Sequence, residues 1–240
     1  MSVDENEKVK ELAHLSTHLL ALTSHQLKTP MGIIRGYTTL LREGFYGPLN
    51  DDVKEVLSKI EFNTEAVVAL VDKITDLRKI EEDKIEYEIE RLDFVQVGRR
   101  AAEEMGHMAL SHRLDLSFSG PDHPVIVRGD EQKLYEVIQN LIDNAVKYTA
   151  KGSIKVTVEE KDADVVLSVA DSGMGIAKKI IPLLFQEFVR DKDIAKEIRG
   201  TGIGLYVARI FMEAQGGKIW VESEGPDKGA TFSISLPLDK

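Results

Sequence analysis

From Val53 to Leu77 the apolar residues advance in steps of three and four: Val53, Val56, Ile60, Val67, Leu70, Ile74 and Leu77, with Asn63 as the polar member of the row. That is the seam of a coiled coil or helical bundle, whose apolar side chains insert between residues of a facing helix. Upstream, about residues 4–43 read as one long helix with its own apolar stripe through Leu12, Leu19, Leu20, Leu27, Ile34 and Leu41. Between the two lies Glu43-Gly44-Phe45-Tyr46-Gly47-Pro48-Leu49-Asn50, a turn marked by two glycines and a proline. Asn50 or Asp51 is placed to cap the second helix. One hairpin cannot bury both stripes, but two hairpins can, as a four-helix bundle. A homodimer through residues 4–82 is therefore expected, with Asn63 fixing its register.

Beyond this hairpin the period changes. Residues 83–91 form a charged connector that leads into a strand. Helical stretches at about 94–110, 130–148 and 202–215 then alternate with β-rich runs. Strands are expected near Leu114–Phe118, Val125–Arg128, Ser153–Glu159, Val165–Asp171, Lys218–Glu222 and Thr231–Leu236, the last ones antiparallel. The fold class is thus α + α/β: a helical hairpin over 1–82, a linker over 83–91 and a mixed α/β domain over 92–240.

Composition narrows the chemistry. A net charge of −10 argues against nucleic acid as the main partner, because phosphate backbones select basic faces. The absence of cysteine excludes disulfides, Cys-ligated zinc and a thiol nucleophile. The polar start MSVDENEKVK is no signal peptide, and no apolar run is long enough to span a bilayer. A soluble, cytoplasmic chain is expected, touching a membrane only through segments it does not contain.

Two places carry chemistry. The first is Ser24-His25-Gln26-Leu27-Lys28-Thr29-Pro30. At about 100° per residue, His25 falls opposite the apolar stripe and should face solvent. Position alone makes it an ordinary surface histidine. Pro30 changes the weight, since a proline inside a helix costs about 3 kcal/mol and loosens the backbone beside that imidazole. Neutral imidazole is a competent nucleophile near pH 7, its free pKa being about 6.5.

The second place is a set of three segments. On the helix Glu136–Tyr148, the residues Leu134, Ile138, Leu141 and Ala145 mark a core face, and Asn140, Asn144, Lys147 and Tyr148 share another. Two amides one turn apart can offer carbonyl oxygens to a hard cation such as Mg²⁺. Lys147 supplies charge for phosphate and Tyr148 an aromatic face. By itself this is only a polar helix face in water. Asp171-Ser172-Gly173-Met174-Gly175 follows an apolar strand, so a carboxylate sits where backbone can approach a ligand closely. Gly200-Thr201-Gly202-Ile203-Gly204-Leu205 opens a helix, whose first N–H groups suit an anion. The charged run between them, after Phe185 and Phe188, reads as a lid hinged by its glycines.

Together these segments resemble, nearly end to end, the sensor histidine kinases of two-component systems. His25–Pro30 looks like that family's H-box, Glu136–Tyr148 its N-box, Asp171–Gly175 its G1 box, Phe185–Phe188 its F box and Gly200–Gly204 its G2 box. The resemblance implies a layered α/β sandwich of the kind shared with gyrase- and chaperone-type ATPases. It implies His25 as phosphoacceptor, with ATP as donor and a response-regulator receiver domain as the next acceptor. Asn144 with Asn140 would serve Mg²⁺, Lys147 and Arg190 the phosphates, and Tyr148 the ribose or base. Asp171 would accept the adenine amino proton. Gly173, Gly175, Gly200, Thr201, Gly202, Gly204 and Leu205 would close the loops around nucleotide. One departure stands out: Gln26 occupies the position where the family usually has an acid, and an amide can orient His25 but cannot act as its base. Thr29 matches the position used to orient water in dephosphorylating the partner. The rival readings are an ATP-driven clamp without phosphotransfer and a dimeric scaffold without catalysis.

Overall fold

The computed structural model describes residues 27–81, 85–186 and 203–239. The chain divides into two compact units, Met1–Ile85 and Glu86–Lys240.

In the first unit, helix α1 covers 27–42 and α2 covers Asp51–Glu81. Pro30 lies in the first turn of the described part of α1. The C-terminus of α1 is closed by two backbone bonds, Gly44 N–H to Leu41 O and Phe45 N–H to Leu40 O, both 3.1 Å. This Schellman cap needs a left-handed residue, and Gly44 supplies it with φ at 81°. Asn50, one of the two expected caps, starts α2 by accepting the Val53 N–H at 2.8 Å.

The buried residues of α2 whose side chains are described lie outside the row expected to face a second hairpin. Leu57, Thr64 and Val71, spaced by seven, are buried, and Thr38 is buried on α1. The two threonine hydroxyls bond back to carbonyls of their own helices, Thr38 to Arg35 O and Thr64 to Ile60 O, so neither is stranded. An Arg42–Glu61 pair at 2.9 Å links the helices near the turn. Val53, Val56 and Ile60, at the head of the expected seam, are 40%, 54% and 39% exposed. Ile33, Ile34 and Leu27 of α1 are exposed as well. Among the described residues, the hairpin leaves much of its apolar surface open.

The second unit begins within the stretch expected to be a connector. Glu88 N–H already bonds Asp130 Oδ2 at 3.1 Å, and the Tyr87 ring meets Phe211 edge-on. Then follow β1 (Glu90–Asp93), α3 (Phe94–Ser111), β2 (Asp115–Ser119), β3 (Ile126–Gly129), α4 (Glu131–Tyr148), β4 (Ser153–Lys161), β5 (Asp164–Asp171), α5 (Gly204–Ala214), β6 (Lys218–Glu222) and β7 (Ala230–Pro237). A short 3₁₀ turn at Ile181–Leu183 separates β5 from α5. Five strands form one sheet in the order β2-β4-β5-β7-β6, and β1 pairs with β3 in a separate two-stranded ribbon. β2 runs parallel to β4, and the other pairs in the large sheet are antiparallel.

The alternation of each strand is aligned across the sheet. Val156, Val169, Phe232 and Val221 form one rung, and Val158, Leu167, Ile234 and Ile219 the next. Nearly all of these are buried, beneath helices that present Ala101, Ala102, Leu134, Ile138, Leu141, Ala145 and Phe211. The opposite rung, Thr157, Ser168, Ser233 and Trp220, is the polar side of the same strands. The result is a sheet with helices layered on one face. Aspartates cap two of those helices: Asp93 accepts from Val95 N–H at the start of α3, and Asp130 from Lys133 N–H at the start of α4. None of the described helices is long and apolar enough to cross a membrane.

Candidate nucleotide site

Helix α4 carries four of the expected site residues, and its apolar face fixes their direction. Leu134, Val137, Ile138, Leu141, Ile142, Ala145 and Val146 are buried against the sheet and neighbouring helices. The helical repeat then turns Asn140 and Asn144 to the margin of that core, where both are half-buried, while Lys147 is exposed. Lys147 forms a close ion pair with Asp143 one turn back. Tyr148 ends the helix half-buried.

Asp171 reaches the same region from the sheet. It is the last residue of β5 and shares the parity of Val165, Leu167 and Val169, so it belongs to the helix-covered face. Its register partners are Ile154 and Ala230. Burial pushes its carboxyl above the usual aspartate range, and the backbone N–H groups of Gly173 and Ala230 partly oppose this. The Gly173 bond to Oδ1 is 2.8 Å. Because the folded value is raised, the charged form weakens folding. That cost appears as pH rises from the ordinary aspartate range through the raised value. A ligand that offers an N–H to the carboxylate offsets it.

The loop after β5 is held by close backbone approaches. A Cβ at Gly173 would lie 2.2 Å from Tyr148 O, 2.8 Å from Thr149 Oγ1 and 2.9 Å from Asp171 Oδ1. Gly175 takes φ of 65°, and a Cβ there would lie 2.1 Å from Gly225 O. Met174 N–H bonds Tyr148 O, Asp227 N–H bonds Met174 O, and Gly229 N–H bonds Gly173 O. Ser223 ties the arrangement together: its Oγ accepts from Ile176 N–H at 3.0 Å and donates to Gly229 O at 2.6 Å. The loop 223–229 was not among the expected site segments, and neither was Thr149. Its one sequence signal is the glycine pair Gly225 and Gly229, some fifty residues away along the chain from the loop it braces.

Helix α5 completes the described site. Its first residue, Gly204, lies so near Asn140 that a Cβ would be 2.4 Å from Asn140 Oδ1. Asn140 Nδ2 is buried without a hydrogen-bond partner. Leu205 is half-buried beside it in the first turn. The structure thus joins Asn140 with Gly204, and Tyr148 with Asp171 and Gly173. His25, Gln26, Arg190, Gly200, Thr201 and Gly202 lie outside the described residues, and Thr29 is exposed on α1.

These residues suit a magnesium–nucleotide ligand on two local grounds. Amide oxygens on α4 are the hard, neutral donors that Mg²⁺ accepts alongside phosphate oxygens. The half-buried Asp171 carboxylate, with its costly charge, suits a purine amino group. Among the described residues no cluster of three or more His, Cys, Asp or Glu forms a metal site.

A one-sided α/β sandwich with this helix, strand end and glycine loops defines a nucleotide-binding domain, and comparison with known proteins agrees. Residues 129–240 match the "Histidine kinase-, DNA gyrase B-, and HSP90-like ATPase" family, and residues 16–83 match the "His Kinase A (phospho-acceptor) domain" family. The chain belongs to the sensor histidine kinases of two-component systems. It is 32% identical over 98% of its length to the sensor protein KdpD of Clostridium acetobutylicum, covering 26% of that protein. The same identity and share of this chain hold for the sensor histidine kinase WalK of Bacillus subtilis, of which 38% is covered. Full-length ShkA, solved with AMPPNP, matches 93% of this chain and 46% of its own at 25% identity and a TM-score of 0.75. The Acinetobacter baumannii kinase AdeS matches 90% of this chain and 98% of its own, at 26% identity and a TM-score of 0.63. The chain therefore spans well under half the length of the two curated relatives.

Proposed function

We propose that the chain is a dimeric catalytic core that transfers the γ-phosphoryl group of ATP to its own His25. From there the group passes to an aspartate of a response-regulator receiver domain. Residues 1–82 act as the dimerisation and phosphoacceptor hairpin and the sheet unit, Glu86–Lys240, as the ATP-binding domain, which takes in most of the stretch 83–91 expected as a linker. The observation that carries this reading is the position of Asp171 at the helix-side end of β5, half-buried beside the end of α4.

In this reading Asp171 takes the adenine amino proton, and Tyr148 borders the ribose or base. Asn144 and Asn140 hold Mg²⁺, which when bound spreads the negative charge of the transferred phosphoryl group. Lys147 must exchange its Asp143 partner for phosphate, and Arg190 adds a second cation. Gly173 and Gly175 bring backbone to the base. Gly200, Thr201, Gly202, Gly204 and Leu205 bring helix N–H groups to the phosphates. The His25 imidazole nitrogen attacks phosphorus in line and ADP leaves. Gln26 accepts a hydrogen bond from the ring and fixes its tautomer. Thr29 orients water in the reverse task, dephosphorylation of the receiver.

The homodimer is supported by the exposed Val53, Val56 and Ile60, which a second hairpin can cover as a four-helix bundle. The test is incubation with γ-labelled ATP and Mg²⁺. Acid-labile, base-stable label should appear on the wild type and vanish in His25→Gln. Label that survives this substitution would refute His25 as acceptor, and nucleotide turnover with no label would favour the clamp reading.

A further inference from the structure

Three oxygens converge where Gly173 lacks a side chain. Two already have donors: Tyr148 O receives Met174 N–H at 3.1 Å, and Asp171 Oδ1 receives Gly173 N–H at 2.8 Å. The third is Thr149 Oγ1, which lies 2.8 Å from the same point. Thr149 is 3% exposed, and its hydroxyl has no hydrogen-bond partner.

That is an unusual state for a buried hydroxyl. Most threonines at such depth bond back to a nearby carbonyl, as Thr38 and Thr64 do here. Thr149 follows α4 with φ at −114° and ψ at 102°, so its backbone has left the helix and the usual carbonyl four residues back is out of line. A buried polar group without a partner weakens the free protein unless a ligand or water completes it. A hydroxyl can also donate and accept, which the other two oxygens cannot.

We propose that Thr149 is a base-recognition residue of the nucleotide site, its hydroxyl donating a hydrogen bond to a ring nitrogen of the purine whose amino group Asp171 accepts. The inference rests on the reading of Asp171 as the adenine-selecting group. It adds a donor beside that acceptor. An acceptor and a donor side by side match the amino group and the adjacent ring nitrogen of adenine. Guanine presents the reverse pattern, a carbonyl beside an N–H, so the pair discriminates between the two.

A hydroxyl that served only the fold would behave oppositely from one held for a ligand. Replacing it with an isosteric methyl should leave the free protein as stable as before, or more so, because an unmet polar group is removed. The cost should appear only in nucleotide binding.

The experiment uses the full chain and its Thr149→Val, Thr149→Ser and Asp171→Asn variants. ADP and GDP are titrated calorimetrically with Mg²⁺, and the nucleotide-free proteins are melted in parallel. Thr149→Val should melt no lower than wild type and bind ADP about threefold to tenfold more weakly, the value of one neutral hydrogen bond. Its preference for ADP over GDP should shrink, and Thr149→Ser should restore both. ADP affinity unchanged in Thr149→Val overturns the inference while leaving the nucleotide site standing. A lower melting temperature in Thr149→Val that Thr149→Ser repairs assigns the hydroxyl to the fold and also overturns it. Wild-type affinity for ADP that persists undiminished in Asp171→Asn removes the reading on which the proposal rests.

Discussion

The two units of this chain treat their apolar residues differently. In the sheet unit, the rungs from Val156 to Val221 and from Val158 to Ile219 lie beneath α3, α4 and α5, and Leu141, Ile154, Leu167 and Ile234 are fully enclosed. In the helical unit, Leu57, Thr64 and Val71 are buried, while Val53, Val56 and Ile60 stay open. One unit closes its own core. The other carries, among its described residues, an apolar face that the single hairpin leaves uncovered, and that face is what the proposed dimer rests on.

The contrast can be broken at its strongest point first. Leu141→Ala deletes a fully enclosed side chain of α4 and should cost the upper part of the range of about 2–5 kcal/mol found for such cavities. The loss should show in chemical denaturation of the sheet unit and should not depend on protein concentration. A concentration-dependent loss would mean that this core is not self-contained. Next, Ile60→Lys places a charge on the exposed seam in both copies of a symmetric pair. At about 1.5 kcal/mol of lost burial per copy, dimerisation should weaken about a hundredfold or more, as read by sedimentation, with the melting of the sheet unit unmoved. A dimer of unchanged affinity would place the interface elsewhere. The smallest effect sharpens the comparison inside the hairpin. Asn50→Ala removes the cap on Val53 N–H and should cost about 1 kcal/mol of helical-unit stability, measured by thermal denaturation.

Much of the fold was legible in the chain. The helices and strands of the sheet unit begin and end close to where periodicity and turn residues place them, because each element's pattern must match its own buried face. The stripe from Val53 was legible too, and its head, Val53, Val56 and Ile60, is exposed in the single hairpin. A stepping pattern shows that a helix has an apolar side, not which neighbour covers it, and among the described residues of α2 the buried ones are Leu57, Thr64 and Val71. The parallel pairing of β2 with β4 and the separate β1–β3 ribbon were not foreseen, since they join strands distant in the chain.

The sequence by itself determined the two periods, the capped turn between the helices, and the types of residue available for phosphate, metal and base. Local hydrogen bonding and the burial of apolar side chains act over a few residues, so they leave their mark in short windows. Tertiary structure alone decided that Asp171 faces the helices, because that depends on the register of β5 with β4 and β7. It also decided that Ser223 and Gly229 brace the loop after β5, and that Thr149 loses both water and hydrogen-bond partner beneath Gly173. A threonine just past a helix looks like a terminator in any sequence. Only the loop folded over it turns its hydroxyl into an unmet group, since burial belongs to the assembled layers and not to the residue.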